Sequence, residues 1–494
     1  MSLQILTVAQ AREADQAAAA EGLGPERLVQ RAGKAIADAV IERWTLRPVA
    51  VLCGPGLNGA DGYVAARLLA EQGWPVRILA TLPQAPAIQA ARAEWQGPVD
   101  CVGPDRLGDA ELVIDALFGA GLTRPLAAEP LATLRAAESR GLLLVAADLP
   151  SGLAGDTGKP LGYAPAVTLT VTFHRKKPAH LLLPGRSLCG EVFLVDIGIP
   201  DAHAPALLWE NAPELWLARF PWPKVEVHKH ARGRLVVVSG HALSTGAARM
   251  AARAGLRVGA GVVTLCSPQA TALAHAPHLE AVMLQAFEDE DDLAQRAKDA
   301  DAVLIGPAAG VDAATSANVM ALARTGAALV LDADALTVFR DDRDRLYDLL
   351  DRDDVLTPHP GEFERIFPGL LAASPDRVSA TRQAAQIAGA VVLLKGPDTV
   401  IAAPDGRAAI NANGAPWLAT AGSGDVLAGV IGGLLAQGMD SFDAACAGVW
   451  IHAEAGARFG PGLIAEDLPE QLPQVLSALW RMRLATNGQG FPHA

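Results

Sequence analysis

The chain has 494 residues, 51% of them hydrophobic and 19% charged, which is too apolar and too weakly charged for disorder and long enough for two or three domains. Its 54 Asp and Glu against 41 Lys and Arg, a formal net charge of −13, exclude the clustered basic surface that a nucleic-acid groove needs. Five cysteines (Cys53, Cys101, Cys189, Cys266 and Cys446) form no CxxC pair and suit reduced thiols, so a cytoplasmic location is expected.

Arg12, Glu13 and Asp15 stand where a secretory signal would need an apolar core, and no secretory address is expected there. Short aliphatic runs then alternate with Ala-rich segments of helical period. The runs lie at 49–53, 76–80, 112–114, 142–147 and 167–173, then at 235–239, 262–266, 302–305, 328–331, 354–357 and 391–395. That alternation predicts parallel sheets covered by helices on both faces, with function at the carboxyl ends of the strands. The longest near-pure apolar run, 426–439, is shorter than the roughly 20 residues of a membrane span and reads as a buried helix. Between the two series, Pro213, Pro221 and Pro223 fall among Trp209, Trp216 and Trp222 and neither period holds. The expected domains are therefore 1–218 and 219–494, two different α/β units fused rather than duplicated.

In the first half, the run at 49–53 leads into Gly54-Pro-Gly-Leu-Asn-Gly-Ala-Asp-Gly62 and a helix. Such a turn offers N–H groups to a phosphate, and taken alone it serves equally as a tight turn that packs helix on strand. Two further strand ends, Asp115-Ala-Leu-Phe-Gly-Ala-Gly-Leu-Thr-Arg-Pro125 and Ala147-Asp-Leu-Pro-Ser-Gly152, each put an acid between an apolar strand and a Gly turn. Asn58, Asp115, Asp148 and Ser151 then converge on one crevice, where hard oxygen ligands suit a cation or one acid stays free for proton transfer. The basic run 173–178 reads as a phosphate contact or a surface turn, and the acidic stretches 288–292 and 341–354 as solvated faces.

In the second half, Ala419-Thr-Ala-Gly-Ser-Gly-Asp-Val runs a Gly-Ser-Gly turn into an apolar helix. Gly422 and Gly424 let the backbone close on an anion, and Asp425 on the first turn is placed either to accept a proton from a substrate hydroxyl or merely to cap the helix. Polar clusters at Asp332-Ala-Asp-Ala-Leu336, Thr357-Pro-His-Pro-Gly-Glu362 and Lys395-Gly-Pro-Asp-Thr399 recur at the same predicted sheet edge and favour the catalytic reading.

These motifs, with Gly233-Arg-Leu-Val-Val-Val-Ser-Gly240, Gly259-Ala-Gly261 and Gly306-Pro-Ala-Ala-Gly310, resemble the ADP-dependent NAD(P)H-hydrate dehydratases, a branch of the ribokinase-like superfamily, over 225–486. The resemblance implies that Lys395, Gly396, Pro397, Asp398, Thr399 and Gly424 bind ADP. It implies that Ala260, Gly310, His359 and Asp425 hold the hydrated dinucleotide, with Asp425 catalytic. Phosphate would pass from ADP to the 6-hydroxyl of the hydrated nicotinamide and be expelled to restore NAD(P)H, giving AMP and phosphate, with magnesium expected. Ala308 and Ala309 depart from the family's Gly-Leu.

The first-half motifs, with Leu6-Thr-x-x-Gln-x-Arg-x-x-Asp15, Gln30-Arg-Ala-Gly33, Lys177 and Asp196-Ile-Gly-Ile-Pro200, resemble the NAD(P)H-hydrate epimerase domain over 1–215. The resemblance implies a potassium site at Asn58, Asp115 and Ser151. Its implied dinucleotide contacts are Leu57, Asn58, Gly59, Ala60, Asp61, Gly119, Ala120, Gly121, Leu122, Thr123, Arg124, Pro125 and Asp148, the last also catalytic. Leu57 and Ala60 depart from the family's Asn and Gly, removing an amide and adding a methyl. The expectation is an α/β protein of two doubly wound three-layer domains, Rossmann-like then ribokinase-like. It would epimerise R and S hydrated NADH and NADPH and dehydrate the S form with ADP. Its partners are these small molecules, with no nucleic acid and no membrane, and self-association into a homo-oligomer stays open. The rival reading is a kinase of a small alcohol or vitamin precursor with a non-catalytic N-terminal binding module, since the cradle at Asp425 serves that chemistry equally.

Overall fold

A computed structural model describes residues 2–81, 88–201, 207–224, 226 and 228–486. The chain divides into two compact units, Met1–Ala206 and Leu207–Ala494. The first is built on β1 (Val49–Cys53), β2 (Val76–Ala80), β3 (Val99–Cys101), β4 (Leu112–Ala116), β5 (Leu143–Ala147), β6 (Leu169–Phe173) and β7 (Glu191–Val195). All pairings are parallel and the order is β3-β2-β1-β4-β5-β6-β7, so the winding direction reverses between β1 and β4.

Successive strand residues point to opposite faces, and both faces are buried. Val49, Val51 and Cys53 pack with Ile114 and Val145 against helices Pro25–Arg43 and Leu57–Glu71. Ala50 and Leu52 pack with Val113 and Leu144 against helix Ala128–Ser139 through Leu134 and Ala137. The result is a three-layer Rossmann-like domain.

The second unit starts before the expected boundary because β8 (Leu208–Glu210) belongs to its sheet. Asn211 and Trp216 are sealed inside the same unit. Asn211 Nδ2 donates to Asn411 Oδ1 (2.9 Å) and to the Cys446 carbonyl (2.8 Å), and Trp216 Nε1 donates to Asn211 Oδ1 (3.2 Å). The other strands are β9 (Arg234–Val238), β10 (Val262–Pro268), β11 (Met283–Phe287), β12 (Ala302–Ile305), β13 (Ala328–Leu331), β14 (Val355–Leu356), β15 (Val391–Leu394), β16 (Val400–Ala402) and β17 (Ala408–Ile410).

Their order is β11-β10-β9-β12-β13-β14-β15-β16-β17-β8, parallel from β11 to β15 and closed by antiparallel pairing through β16 and β17. The apolar run near 426–439 is helix Ser423–Ala436, buried along its length as its composition predicts. It lies against helix Thr245–Val258 at a distance only glycine permits: a Cβ on Gly429 would stand 2.1 Å from the Ala251 carbonyl oxygen. This too is an α/β unit, built on a mostly parallel sheet. Among the described residues no helix is long and apolar enough to cross a membrane.

Candidate active sites

In the first unit the reversal point sets Cys53 of β1 beside Ala116 of β4, and the loops that follow both strands bound a cavity of about 630 Å³. Backbone meets backbone there: a Cβ on Gly54 would fall 1.6 Å from the Leu117 carbonyl oxygen, so only glycine fits. The helix begins at Leu57, so Leu57, Asn58, Gly59, Ala60 and Asp61 are its first five residues instead of a free loop. Leu57, Asn58, Asp61, the chain from Gly119 to Arg124, and Asp148 line the cavity, whereas Gly59, Ala60 and Pro125 do not. Ala60 is fully buried within the helix and outside the positive-φ set, so its methyl costs none of the backbone freedom that a loop would have required.

Asp148 sits in a left-handed conformation (φ +68°) at the end of β5. Its carboxylate accepts from Lys177 Nζ (2.6 Å), Thr172 Oγ1 (3.0 Å) and the Ala120 N–H (2.9 Å). Burial alone would raise its pKa, but the Lys177 charge and hydrogen bond, with the Ala120 N–H, outweigh it and hold the group at about 2. His180 bridges the same turn, with Nδ1 accepting from the Lys177 N–H (2.9 Å) and Nε2 against the Asp148 carbonyl (2.9 Å). The run 173–178 is therefore no surface turn. His174, Arg175 and Lys177 are buried against the cavity they line. With Arg12 and Asp15, which also line it, Lys177 was legible only as part of a resembling motif.

Asp115, on β4, is fully buried and accepts from the Ser151 N–H (2.8 Å), Ser151 Oγ (2.6 Å) and the Leu117 N–H (3.2 Å). Burial still pushes its pKa up to about 6 against those hydrogen bonds. In the amide orientation that satisfies both polar atoms, Asn58 donates to the Ala147 carbonyl (3.2 Å) and accepts from the Gly119 N–H (3.3 Å). Asn58, Asp115 and Ser151 thus tie together the ends of β1, β4 and β5.

In the second unit the acids follow the parallel strands as expected. Lys395, after β15, pairs with Asp332 Oδ1 (2.7 Å) after β13 and faces Glu362 Oε2 (3.8 Å). Gly422 (φ +84°) starts helix Ser423–Ala436, and a Cβ on Gly424 would lie 3.4 Å from Lys395 Nζ, so the ammonium stands over the first helical turn. Asp425 shares that turn. Burial first, then the charge of Asp332, raises its pKa to about 6 against the pull of Lys395. Ser423 is anchored from below by His452, whose Nε2 lies 2.9 Å from the Ser423 carbonyl and 3.0 Å from its Oγ.

The other expected residues fall in three places. His359 caps helix Pro360–Ile366, its Nδ1 accepting from the Gly361 N–H (2.9 Å), while its own N–H donates to Glu362 Oε2 (2.8 Å) and so joins the Lys395 cluster. The Gly310 N–H donates to Asp334 Oδ2 (2.9 Å) at the same edge. Gly396 and Thr399 close a local turn (N to Oγ1, 3.1 Å) beside the exposed Pro397, and Asp398 is buried facing Arg377 Nε (3.5 Å). Ala260 stands apart. It precedes β10, buried at the amino end of the strand, with its N–H given to Gly255 (3.2 Å), so the fold of this unit does not bring it to Asp425.

Among the described residues four that are not glycine have positive φ: Asp148 and His174 in the first unit, Ala308 and Ala333 in the second. All four flank these crevices, the usual address of stored backbone strain. Ala308 (φ +53°) occupies one of the positions where the sequence departs from the family it resembles, and the left-handed backbone is the physical content of that departure. The strain of an L-residue there, about 1–2 kcal/mol, exceeds the entropic cost of an extra glycine, about 0.4–1 kcal/mol. Ala308→Gly is thus expected to stabilise the second unit by roughly 0.5 kcal/mol, read as a higher denaturant midpoint at unchanged slope.

Fold and sites together define a two-domain nucleotide enzyme, with acid-lined crevices at the carboxyl ends of both parallel sheets. A model of the NAD(P)H-hydrate dehydratase family matches residues 235–476, and one of the YjeF-related protein N-terminus matches 25–179. The bifunctional NAD(P)H-hydrate repair enzyme of Thermofilum pendens is 32% identical over 97% of both chains. That of Escherichia coli is 33% identical over 94% of this chain and 92% of its own. The chain belongs to the family of bifunctional NAD(P)H-hydrate repair enzymes. A solved Bacillus subtilis ADP/ATP-dependent NAD(P)H-hydrate dehydratase, co-crystallised with ATP and Mg2+, is 28% identical, with a TM-score of 0.48, over 55% of this chain and 98% of its own.

Proposed function

We propose that the second unit dehydrates the S form of hydrated NADH and NADPH at the expense of ADP, and that the first interconverts the R and S forms so that the whole pool becomes usable. The observation that carries this reading is Asp425, half-buried on the first turn of a glycine-started helix beside the Lys395–Asp332 pair. That arrangement combines an anion-binding helix start, a cation and a carboxylate titrating near neutrality, which is what phosphoryl transfer to an alcohol requires. A small-alcohol kinase needs the same cradle, but the family to which both halves of the chain belong disfavours it.

In the proposed cycle Lys395 and the first N–H groups of the helix hold the ADP phosphates, with Gly396, Pro397, Asp398 and Thr399 shaping the turn beside them. Asp425 takes the proton of the 6-hydroxyl, the oxygen attacks the terminal phosphorus, and AMP leaves. The ring nitrogen then expels phosphate from C6, and loss of a C5 proton restores NAD(P)H. Gly310 and His359 border the dinucleotide. Magnesium would arrive on the nucleotide. There it would neutralise the transferring phosphoryl group.

In the first unit, Asn58, Asp115 and Ser151 would hold potassium. Asp115 is buried and compensated only by hydrogen bonds, and its raised pKa marks a carboxylate that a monovalent cation would suit. The cation would balance that charge and stiffen the chain from Gly119 to Pro125, whose surface with Asp148 would bind the dinucleotide. Five free thiols, four of them buried, support a cytoplasmic setting.

The test is recovery of reduced-nicotinamide absorbance from a mixed R and S preparation with ADP, magnesium and potassium, faster than spontaneous epimerisation. Complete recovery is expected. Recovery that stops when S is spent removes the epimerase assignment, and a stable phosphorylated product without absorbance recovery restores the kinase.

A further inference from the structure

We propose that Asp61 is the proton-transfer residue of epimerisation: a carboxylic acid that donates a proton to the ring nitrogen while taking one from the 6-hydroxyl, opening the hydrated ring and closing it again on either face. The inference rests on the reading of the first unit as an epimerase and assigns to that site a catalytic group.

Asp61 is the fifth residue of helix Leu57–Glu71, 8% exposed, and lines the cavity. The titratable groups that bear on it come from three neighbouring elements: Asp15 on helix Val8–Ala20, Asp148 after β5, and the buried Cys53 thiol of β1. Of the cations that line the cavity, Lys177 is engaged by Asp148 (2.6 Å) and Thr172 (3.2 Å), Arg175 by the His174 carbonyl (2.6 Å) and Arg12 by the Gly121 carbonyl (3.4 Å), and Arg124 is the fourth. Burial first, then the charges of Asp148 and Asp15, push the Asp61 carboxyl well above the usual range, while Asp148 is held at about 2. The cavity therefore holds three carboxyls pushed in opposite directions, Asp148 down and Asp61 and the exposed Asp15 up, and of the raised pair only Asp61 is buried.

The chemistry selects the buried member of the raised pair. C6 of the hydrated ring carries both the hydroxyl and the ring nitrogen, so it inverts when the carbon–nitrogen bond opens. In the opening step the hydroxyl proton moves to one Asp61 oxygen, the C6–N1 pair goes to nitrogen, C6=O forms, and the proton on the other Asp61 oxygen moves to N1. Rotation of the aldehyde and the reverse transfer close the ring on the opposite face and return Asp61 to its starting state. No net charge develops in a desolvated cavity at any stage, and no co-reactant is consumed. Asp148 cannot supply this exchange, because it is ionised and its oxygens are taken by Lys177, Thr172 and the Ala120 N–H.

The test compares R and S exchange by chromatography in the full-length chain and in Asp61→Asn, after subtracting spontaneous exchange. Dehydration of pure S hydrate serves as the internal control of the same polypeptide. Exchange is expected to fall about 10²–10⁴-fold. The wild-type rate is expected to decline as pH rises through the raised pKa of Asp61, since the protonated form is the active one. Wild-type exchange in Asp61→Asn overturns the proposal. So does a wild-type rate that climbs with pH, and this second readout decides the matter where Asp61→Asn unfolds the first unit. A wild-type chain that dehydrates S but exchanges nothing removes instead the epimerase reading beneath it.

Discussion

Asp425→Asn is expected to lower dehydration of the S hydrate by about 10²–10⁴-fold, the range of a lost general base, with the fold intact. Asparagine keeps the size and one acceptor of aspartate, so the first turn of helix Ser423–Ala436 loses only the charge–dipole interaction, about 0.3–1 kcal/mol. What it loses chemically is the site for the hydroxyl proton. Burial and Asp332 have raised Asp425 to about 6 against Lys395, which makes it a stronger base than an exposed aspartate yet still ionised at neutral pH. The sign for activity follows: the base form disappears as pH falls through about 6, so kcat/KM should drop roughly tenfold per unit below that point and level above it. Absorbance recovery across pH, in both chains at matched thermal unfolding, measures this. Wild-type turnover in the variant would move the proton to another group and sink the role.

The strong interior elements were legible because parallel strands buried on both faces are written as unbroken aliphatic runs. Those at 49–53, 76–80, 302–305 and 328–331 match β1, β2, β12 and β13 to the residue. The strands that passed unread are the four sheet edges β3, β7, β8 and β11, and the internal, buried β16 and β17, which are only three residues long each. Val99–Cys101 and Met283–Phe287 are edge strands with exposed positions, and their polar residues break the run that marks a buried strand. Leu208–Glu210 is short and lies within a Pro and Trp-rich stretch, which drew the boundary past it.

At the sites, motif spacing located the strand ends but not the partners. That Asp398 faces Arg377, or that the run 173–178 is buried, depends on contacts between segments far apart in sequence. Asp354 shows the same limit. It lies in a charged stretch expected to be solvated, yet it is buried, accepting from the Leu329 N–H (2.8 Å) and the Asp351 N–H (2.9 Å), with its pKa raised by burial to about 7.

Lys177→Met is expected to cost the first unit about 3 kcal/mol at neutral pH, because it leaves the largely buried Asp148 carboxylate without its cation. The magnitude comes less from the lost attraction than from the stranded charge, since Thr172 and the Ala120 N–H cannot replace an ammonium at 2.6 Å. The pH dependence tests this cause. In the wild type Asp148 is depressed to about 2, so its contribution is fully present above the unfolded carboxylate pKa of about 4 and fades as pH falls toward 2. In the variant that contribution is gone, and Asp148 escapes its stranded charge by binding a proton. The stability gap between the two chains should therefore be widest near neutrality and close as pH drops below about 4. Adding Asp148→Asn should return much of the loss, because a neutral amide in the same pocket needs no counter-charge, and the double-mutant cycle would report a strong coupling. Chemical unfolding followed at amides of the first unit measures all four chains. A single-variant loss below about 1 kcal/mol would mean that water entering from the cavity already solvates Asp148, and that the pair orients the carboxylate without supporting the fold.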